Sequence, residues 1–195
     1  MLVELAVGDA YGAGFEYATA DFVRMHNDLS GYHAHPRHAI APGCYPADAA
    51  LTGVELSPAM LAVARQYAAD LGREVDLHEG DAERLPFGDA SFDTVVCALA
   101  LCTIPDPAGA IGEMRRVLVP GGRLLLLDHI GSSWPPIYAA QWLLERFTIR
   151  AAGEYFTRRQ LPLVQAAGFE VVASERLNAG SVERIAGRKP ASSAG

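Results

Sequence analysis

The sequence has little of what marks nucleic-acid-binding or membrane-spanning proteins. Its 195 residues carry a formal net charge of −7 and no stripe of Lys and Arg, which argues against a phosphate-backbone partner. No apolar run approaches the ~20 residues that a membrane span requires, and no basic region precedes an apolar one near residue 1. We therefore expect a soluble, cytoplasmic protein with no transmembrane segment and no nucleic-acid partner.

Cysteine is also scarce. Cys44, Cys97 and Cys102 are the three cysteines, and they form no Cys-x-x-Cys pair, so neither a disulfide framework nor a metal site is indicated. Reduced, buried thiols are expected. Cys102 is expected to pack rather than react, because nothing cationic flanks it in sequence.

What the sequence does have is an alternating pattern. Half of the residues are hydrophobic and 20% are charged, as in a globular domain with one core. From Leu51 onward, short apolar runs alternate with amphipathic segments of helix length, which predicts a mainly parallel sheet covered by helices. We predict strands at 51–56, 75–78, 92–99 and 123–127, helices at 57–71, 108–118, 134–152 and 157–167, and a closing hairpin at 169–177 and 181–186.

Polar or small residues stand where these predicted strands end. In open α/β sheets, ligands bind outside the carboxyl ends of the strands. Glu55 is placed to accept both hydroxyls of a ribose, and Asp81 to accept from an adenine amino group. One such acid alone is more often merely exposed, but the order and spacing of the set favour a binding site. Asp128 and His129 end the fourth strand.

Four segments carry a family resemblance, in sequence order. They are LTGVELSPAML at 51–61, EGDAERLPF at 79–87, SFDTVVC at 91–97 and RRVLVPGGRL at 115–124. They resemble the class I S-adenosylmethionine-dependent methyltransferases, with the quinone-biosynthesis type the nearest broad group. The segment from Asp128 to Arg159 looks like the subgroup that contains methyltransferase-like thiol and lipid enzymes.

The resemblance implies a Rossmann-like three-layer α/β sandwich whose last strand is antiparallel, and S-adenosylmethionine as cofactor. It places Glu55 on the ribose, Asp81 and Ala82 on the adenine, and Ala98 near the reacting methyl. The full set of cofactor-binding residues expected is Glu55, Leu56, Met60, Asp81, Ala82, Ala98 and Leu99.

The methyl acceptor is expected to be a small or lipophilic molecule. His129 is the best candidate for a general base if one is needed, and a histidine at the rim of the site is the alternative. The aromatic side chains expected to cover an apolar acceptor, or simply to pack, are Trp134, Tyr138, Trp142 and Phe147. Oligomeric state is open.

Residues 1–45 break the pattern. The family's glycine-rich loop should come about 20 residues before Glu55, as in dinucleotide-binding folds, and nothing between Gly31 and Leu51 fits. LAVGDAYGAGFE at 5–16, NDLSGYHAHPRH at 27–38 and PGCY at 42–45 instead resemble the amino end of an ADP-ribosylglycohydrolase. Where that family has its magnesium-binding Thr-Asp-Asp run, this chain has Pro46-Ala47-Asp48, so hydrolase activity is not implied.

We therefore expect a foreign-looking segment at 1–45, a methyltransferase domain at 46–190 and a disordered tail at 191–195. A central strand of the sheet would be missing from such a domain, at a cost of some ten hydrogen bonds of ~1 kcal/mol each. We predict that Leu2 to Val7 takes that place and that Phe15 to Leu29 forms the next helix. A working methyltransferase, a weakly binding remnant and a non-enzymatic fragment remain as alternatives.

Overall fold

The sheet organises the part of the chain that the structure describes. The structure is a computed structural model and describes residues 3–7, 49–70, 72–152 and 155–191. Within them, seven strands form one sheet in the order β3-β2-β1-β4-β5-β7-β6. The strands are β1 (Val3–Val7), β2 (Ala50–Glu55), β3 (Val75–Glu79), β4 (Phe92–Ala98), β5 (Leu118–His129), β6 (Glu170–Leu177) and β7 (Val182–Arg188).

β1 lies between β2 and β4 and runs parallel to both. Leu5 is opposite Thr52 on one side and Val95 on the other. The prediction that the run from Leu2 to Val7 occupies a central strand is therefore confirmed over Val3–Val7. The predicted helix from Phe15 to Leu29, like the rest of 8–48, lies outside the described residues.

Four helices connect or follow these strands in the described residues, and we label them α1 (Pro58–Asp70), α2 (Pro107–Val117), α3 (Pro135–Ala152) and α4 (Gln160–Ala166). Three begin with proline at the first position, where a missing N–H breaks no helical hydrogen bond. Asp106 caps α2 by accepting from the Gly109 N–H at 3.0 Å. α4 begins later than predicted, because Arg159 has an extended backbone.

The core fills the space between β4, β5, α2 and α4. β4 is apolar and largely buried, as expected for a strand covered on both faces, whereas β5 alternates buried residues with exposed ones, Leu125 being 40% exposed. The fully buried members include Val95, Leu101, Ala110, Ile111, Met114, Leu118, Leu124 and Val164.

β5 is longer than predicted. It begins at Leu118, directly after α2, and continues through Pro120-Gly121-Gly122, where the register with β4 shifts. Gly121 has φ +81° and donates its N–H to the Lys189 carbonyl, while Lys189 donates to Gly122. The glycines thus let the strand bulge without losing its pairing.

The last two strands confirm the predicted class. β7 pairs antiparallel with both β5 and β6, while β1 to β5 are parallel. The result is the mainly parallel Rossmann-like sheet with an antiparallel last strand that the sequence predicted.

Arg116 ties the segment between β3 and β4 to α2. Its guanidinium donates to the carbonyls of Leu85 and Phe87, to Asp89, and to both oxygens of Glu113. These bonds lower the pKa of Glu113, chiefly because Arg116 donates to its carboxylate. The segment after Asp81 is thereby fixed against the core.

We expect Arg116→Ala to lower the free energy of unfolding by about 2 kcal/mol, because it leaves two carbonyls and a carboxylate without their donor. Urea denaturation measures the change. Arg184→Ala is the matched control: Arg184 pairs with Glu175 on the surface at 2.6 Å, and such exposed pairs contribute about 0–1 kcal/mol. Equal losses in the two variants would contradict the assignment.

Candidate functional site

The carboxyl ends of the parallel strands meet at one edge of the sheet. In the register, Val7 is opposite Val54 in β2 and Cys97 in β4. Glu55 and Ala98, the next residues of those two strands, therefore lie at the edge on either side of the end of β1. The strand order changes direction here, since β2 and β3 lie on one side of β1, and β4 and β5 on the other. A crevice at such a switch point is where α/β sheets bind their ligands.

Glu55 is the last residue of β2 and is partly buried. Its Oε1 accepts the Ser57 N–H at 2.8 Å. Ser57 in turn accepts the Met60 N–H at 3.4 Å through its hydroxyl oxygen, at the start of α1. The carboxylate is thus held at the junction of a strand and a helix, as a ribose-binding acid requires.

Leu56 and Met60 border the same junction. Leu56 is 67% exposed although it follows a buried strand, and Met60 is partly buried in the first turn of α1. Both side chains are apolar, Leu56 directly following Glu55 and Met60 lying in the first turn of the helix that comes next. Their contact with a cofactor stays a prediction.

Asp81 follows β3 in a tight turn. Its side chain is exposed, and Oδ1 accepts the Glu83 N–H at 2.9 Å, while its carbonyl accepts from Arg84 at 3.0 Å. Ala82 is partly buried against the core. The turn is tied to α2 because Glu83 accepts the Asp106 N–H at 2.7 Å.

Ala98 and Leu99 form the end of β4. Leu99 has φ +56°, a left-handed conformation that is unfavourable for a branched side chain. Its N–H donates to the Leu127 carbonyl at 2.7 Å, which holds it in place. Backbone strain of this kind often marks functional sites. Here the left-handed conformation of Leu99 turns the chain sharply at the predicted floor of the crevice.

Asp128 and His129 lie at the predicted strand end, but both are only 2% exposed. The Asp128 carboxylate accepts the Cys102 N–H at 3.0 Å and the His129 N–H at 2.7 Å. It therefore fastens the segment after β4 to the end of β5. The His129 ring packs near Phe156, with centroids 6.4 Å apart. The ring is therefore buried behind the edge, and both its role as general base and the alternative of a histidine at the rim or behind the residues that line the site stay predictions.

The thiols are buried as expected. Cys97 and Cys102 are both buried, and burial raises the pKa of Cys97 far above its ordinary value, with the nearby Asp128 adding to the effect. Ligand atoms of Cys102, Asp128 and His129 come within 4.8 Å of one another, but the two carboxylate oxygens already accept backbone N–H groups. Cys44 lies outside the described residues.

The sequence analysis did not predict a second set of contacts that holds the segment after β4 in place. Arg158 lies 3.4 Å from the centroid of the Tyr155 ring and donates to the Ile104 carbonyl. Tyr155 donates its N–H to the Cys102 carbonyl at 2.9 Å. These contacts join the segment after α3 to the segment after β4. No local pattern could reveal them, since they link side chains to carbonyls more than fifty residues away in sequence.

The four aromatic residues singled out from the sequence lie on or next to α3. Trp134, Tyr138, Trp142 and Phe147 are all exposed. α3 begins at Pro135, shortly after β5 ends at His129, and Gln141 hydrogen-bonds to Ser132 and Ile130, so the first half of the helix lies near the carboxyl end of β5. Whether these side chains cover an acceptor stays a prediction. In the described residues, no helix is long and apolar enough to cross a membrane.

Comparisons with known proteins agree with this geometry. The methyltransferase-domain family matches residues 35–126. A demethylmenaquinone methyltransferase of Deinococcus radiodurans is 46% identical over 78 residues, which are 40% of this chain and 32% of that protein. A phosphatidylethanolamine N-methyltransferase of Cereibacter sphaeroides is 36% identical over 100 residues, 50% of this chain and 49% of that protein.

Among solved structures, a putative methyltransferase from Bacillus halodurans has a TM-score of 0.65 at 19% identity and covers 96% of this chain and 92% of that one. This likeness shows the fold. The chain spans about half or less of the two curated relatives above.

The fold and the site define a Rossmann-like domain with a nucleotide-type crevice at its switch point. The family match over residues 35–126 and the relatives support one class: the chain is similar to the class I S-adenosylmethionine-dependent methyltransferases.

Burial raises the pKa of Asp128 to about 6, against its ordinary 3.8, although N–H donation from Cys102 and His129 partly opposes the shift. Between these two pH values the folded protein keeps a proton that the unfolded chain has released. The group therefore favours the folded state at low pH, and its contribution falls as pH rises from about 4 to 6.

We expect the unfolding free energy of wild type minus that of Asp128→Asn to fall by about 2 kcal/mol between pH 4 and pH 7, since each pKa unit corresponds to ~1.4 kcal/mol and part of the change lies below pH 4. Urea denaturation at a series of pH values gives this difference, in which the other carboxylates cancel. A difference that stays constant or rises with pH would show that Asp128 is not a buried, proton-retaining acid.

Proposed function

We propose that this chain transfers a methyl group from S-adenosylmethionine to a small or lipophilic acceptor bound at the carboxyl edge of the sheet. The observation that carries the proposal is the position of Glu55 and Ala98 on either side of the end of β1. This arrangement sets a ribose-binding acid and an apolar floor on opposite sides of one crevice, with Asp81 one strand further out.

In the proposed complex, Glu55 accepts the two ribose hydroxyls, while Asp81 and Ala82 bind the adenine through its amino group and ring nitrogen. Leu56 and Met60 contact the apolar surface of the cofactor. These assignments follow the order of the strands, since β3 lies outside β2 and the adenine lies beyond the ribose.

The reacting end of the cofactor then lies over Ala98 and Leu99. When bound, S-adenosylmethionine would supply an electrophilic methyl group to the acceptor's nucleophile and would be left as a neutral thioether. Alignment at about 3 Å supplies much of the acceleration in such a transfer. A neutral imidazole at His129 would take the acceptor's proton, provided that the acceptor reaches the buried ring.

The end of β1 bears on how the methionine part of the cofactor is held. Val7 reaches the edge between the ends of β2 and β4, and the sequence continues with Gly8, Gly12 and Gly14. This segment is the only glycine-rich candidate for the loop expected before Glu55, and it lies outside the described residues. Glycines let a backbone approach a ligand closely.

A lipophilic acceptor is supported by two observations. The relatives named above are a demethylmenaquinone and a phosphatidylethanolamine methyltransferase, and the exposed aromatic residues of α3 provide an apolar surface near the edge. A remnant that binds the cofactor weakly is the second candidate, since no standard glycine-rich loop precedes Glu55 at the expected distance.

Calorimetric titration with S-adenosylmethionine tests the proposal. We expect micromolar binding, weakened about 100-fold or more in Glu55→Ala, because each charge-assisted hydrogen bond to the ribose contributes about 1.5–3 kcal/mol. Glu74→Ala is the matched control, since Glu74 is exposed and lies just before β3, at the opposite edge.

Binding that is equally weak in both variants would remove Glu55 from the site. Absence of heat at millimolar ligand would instead support the non-enzymatic fragment. Transfer of a labelled methyl to a lipid or quinone extract, measured on the same preparation, separates a working enzyme from a remnant.

A further inference from the structure

α3 presents its polar side chains to the protein and its apolar ones to solvent. Gln141 accepts the Ser132 N–H at 2.7 Å and donates to the Ile130 carbonyl at 3.1 Å. One turn later, Glu145 accepts the Thr157 N–H at 2.7 Å. The helix is therefore attached by hydrogen bonds along the face that an ordinary surface helix would bury with apolar residues.

The opposite side is apolar and open. Six large hydrophobic residues on or next to α3 are between 43% and 68% exposed: Trp134, Tyr138, Trp142, Leu143, Leu144 and Phe147. The two tryptophans are the only ones in the chain. Single exposed apolar residues need no explanation, but a contiguous set of this size marks an interaction surface. We call these six residues the α3 apolar face.

Among the described side chains of α3, the exposed charge is positive. Glu145 is the only acid in α3, and it is turned inward to Thr157. Arg146 is exposed and lies 4.1 Å from the centroid of the Trp142 ring, and Arg150 follows four residues later in sequence. An acidic chain of net charge −7 thus places a positive group beside its exposed apolar surface.

This charge pattern favours one occupant. Two copies of the chain meeting through this face would bring two like charges to one interface, since an isologous contact repeats Arg146 on both sides. A surface of anionic lipid, in contrast, offers acyl chains to Leu143 and Phe147 and negative headgroups to Arg146. Tryptophan and tyrosine are also the residues that settle at the boundary between headgroups and acyl chains.

We propose that the α3 apolar face docks on the surface of an anionic lipid bilayer, with α3 lying in the plane of the interface. Helices with a large apolar face and nearby arginines bind membranes in this way, and each basic residue near the surface adds electrostatic attraction. The docking does not require methyl transfer. It places the carboxyl edge of the sheet near the layer from which a lipophilic molecule would come.

The tryptophans make the test direct, because both of them report on this face. The full chain is titrated with vesicles of phosphatidylglycerol and phosphatidylcholine, and with vesicles of phosphatidylcholine alone. We expect a blue shift of tryptophan emission and co-sedimentation with the anionic vesicles, both weaker at high salt and on the zwitterionic vesicles.

Phe147→Ala is expected to weaken vesicle partitioning about tenfold or more, since burial of such a side chain contributes about 1.5–3 kcal/mol. Val172→Ala is the matched control, because Val172 is 69% exposed on β6, away from α3. Arg146→Gln should reduce binding to the anionic vesicles, and Arg65→Gln, at an exposed position of α1, should not. Circular dichroism verifies that each variant is folded.

Three results would overturn the proposal. The first is no spectral shift and no co-sedimentation with either vesicle. The second is a dimer in sedimentation that Phe147→Ala dissociates, since the face would then bind a second copy. The third is emission already blue-shifted and protected from iodide in the free protein, which would show that the chain covers the face itself. Cofactor titration on the same sample is independent of all three.

Discussion

Backbone pairing on both sides of β1 is the constraint on which the rest of the structure depends. A strand in the middle of a sheet satisfies donors and acceptors of two neighbours at once, and leaving that place empty would expose unpaired backbone groups in the core. Val3–Val7 joins β2 to β4. Without it, the half of the sheet that carries Glu55 and Asp81 would have no connection to the half that carries Ala98.

The same pairing creates the crevice. β2 and β4 are brought to either side of one strand, so their carboxyl ends flank it at a switch point. The turns that follow these strands are then held in place by residues from other parts of the chain. Arg116 and Glu83 tie the segment after β3 to α2, and Asp128 holds the segment after β4. Rigid surroundings of this kind are what a cofactor site requires.

α3 differs from these segments in what its attachment leaves exposed. Its attachment uses the hydrogen bonds of Gln141 and Glu145, which leaves its aromatic residues outside. Hydrophobic periodicity alone assigns such residues to the core, since apolar faces are normally buried. The contrast between an inward polar side and an outward apolar side is visible only in three dimensions. It concerns what the helix contacts outside the protein rather than how the helix stabilises the fold.

The sequence by itself determined the element types, the parallel sheet with its antiparallel end, and the location of Glu55 and Asp81 after their strands. These depend on local periodicity and on residues adjacent in the chain, which a sequence displays directly. Even the central place of β1 followed from counting unsatisfied hydrogen bonds. Only the tertiary structure decided that Asp128 and His129 are buried, that Arg158 reaches the segment after β4, and that α3 faces outward, because burial and pairing depend on residues far apart in sequence.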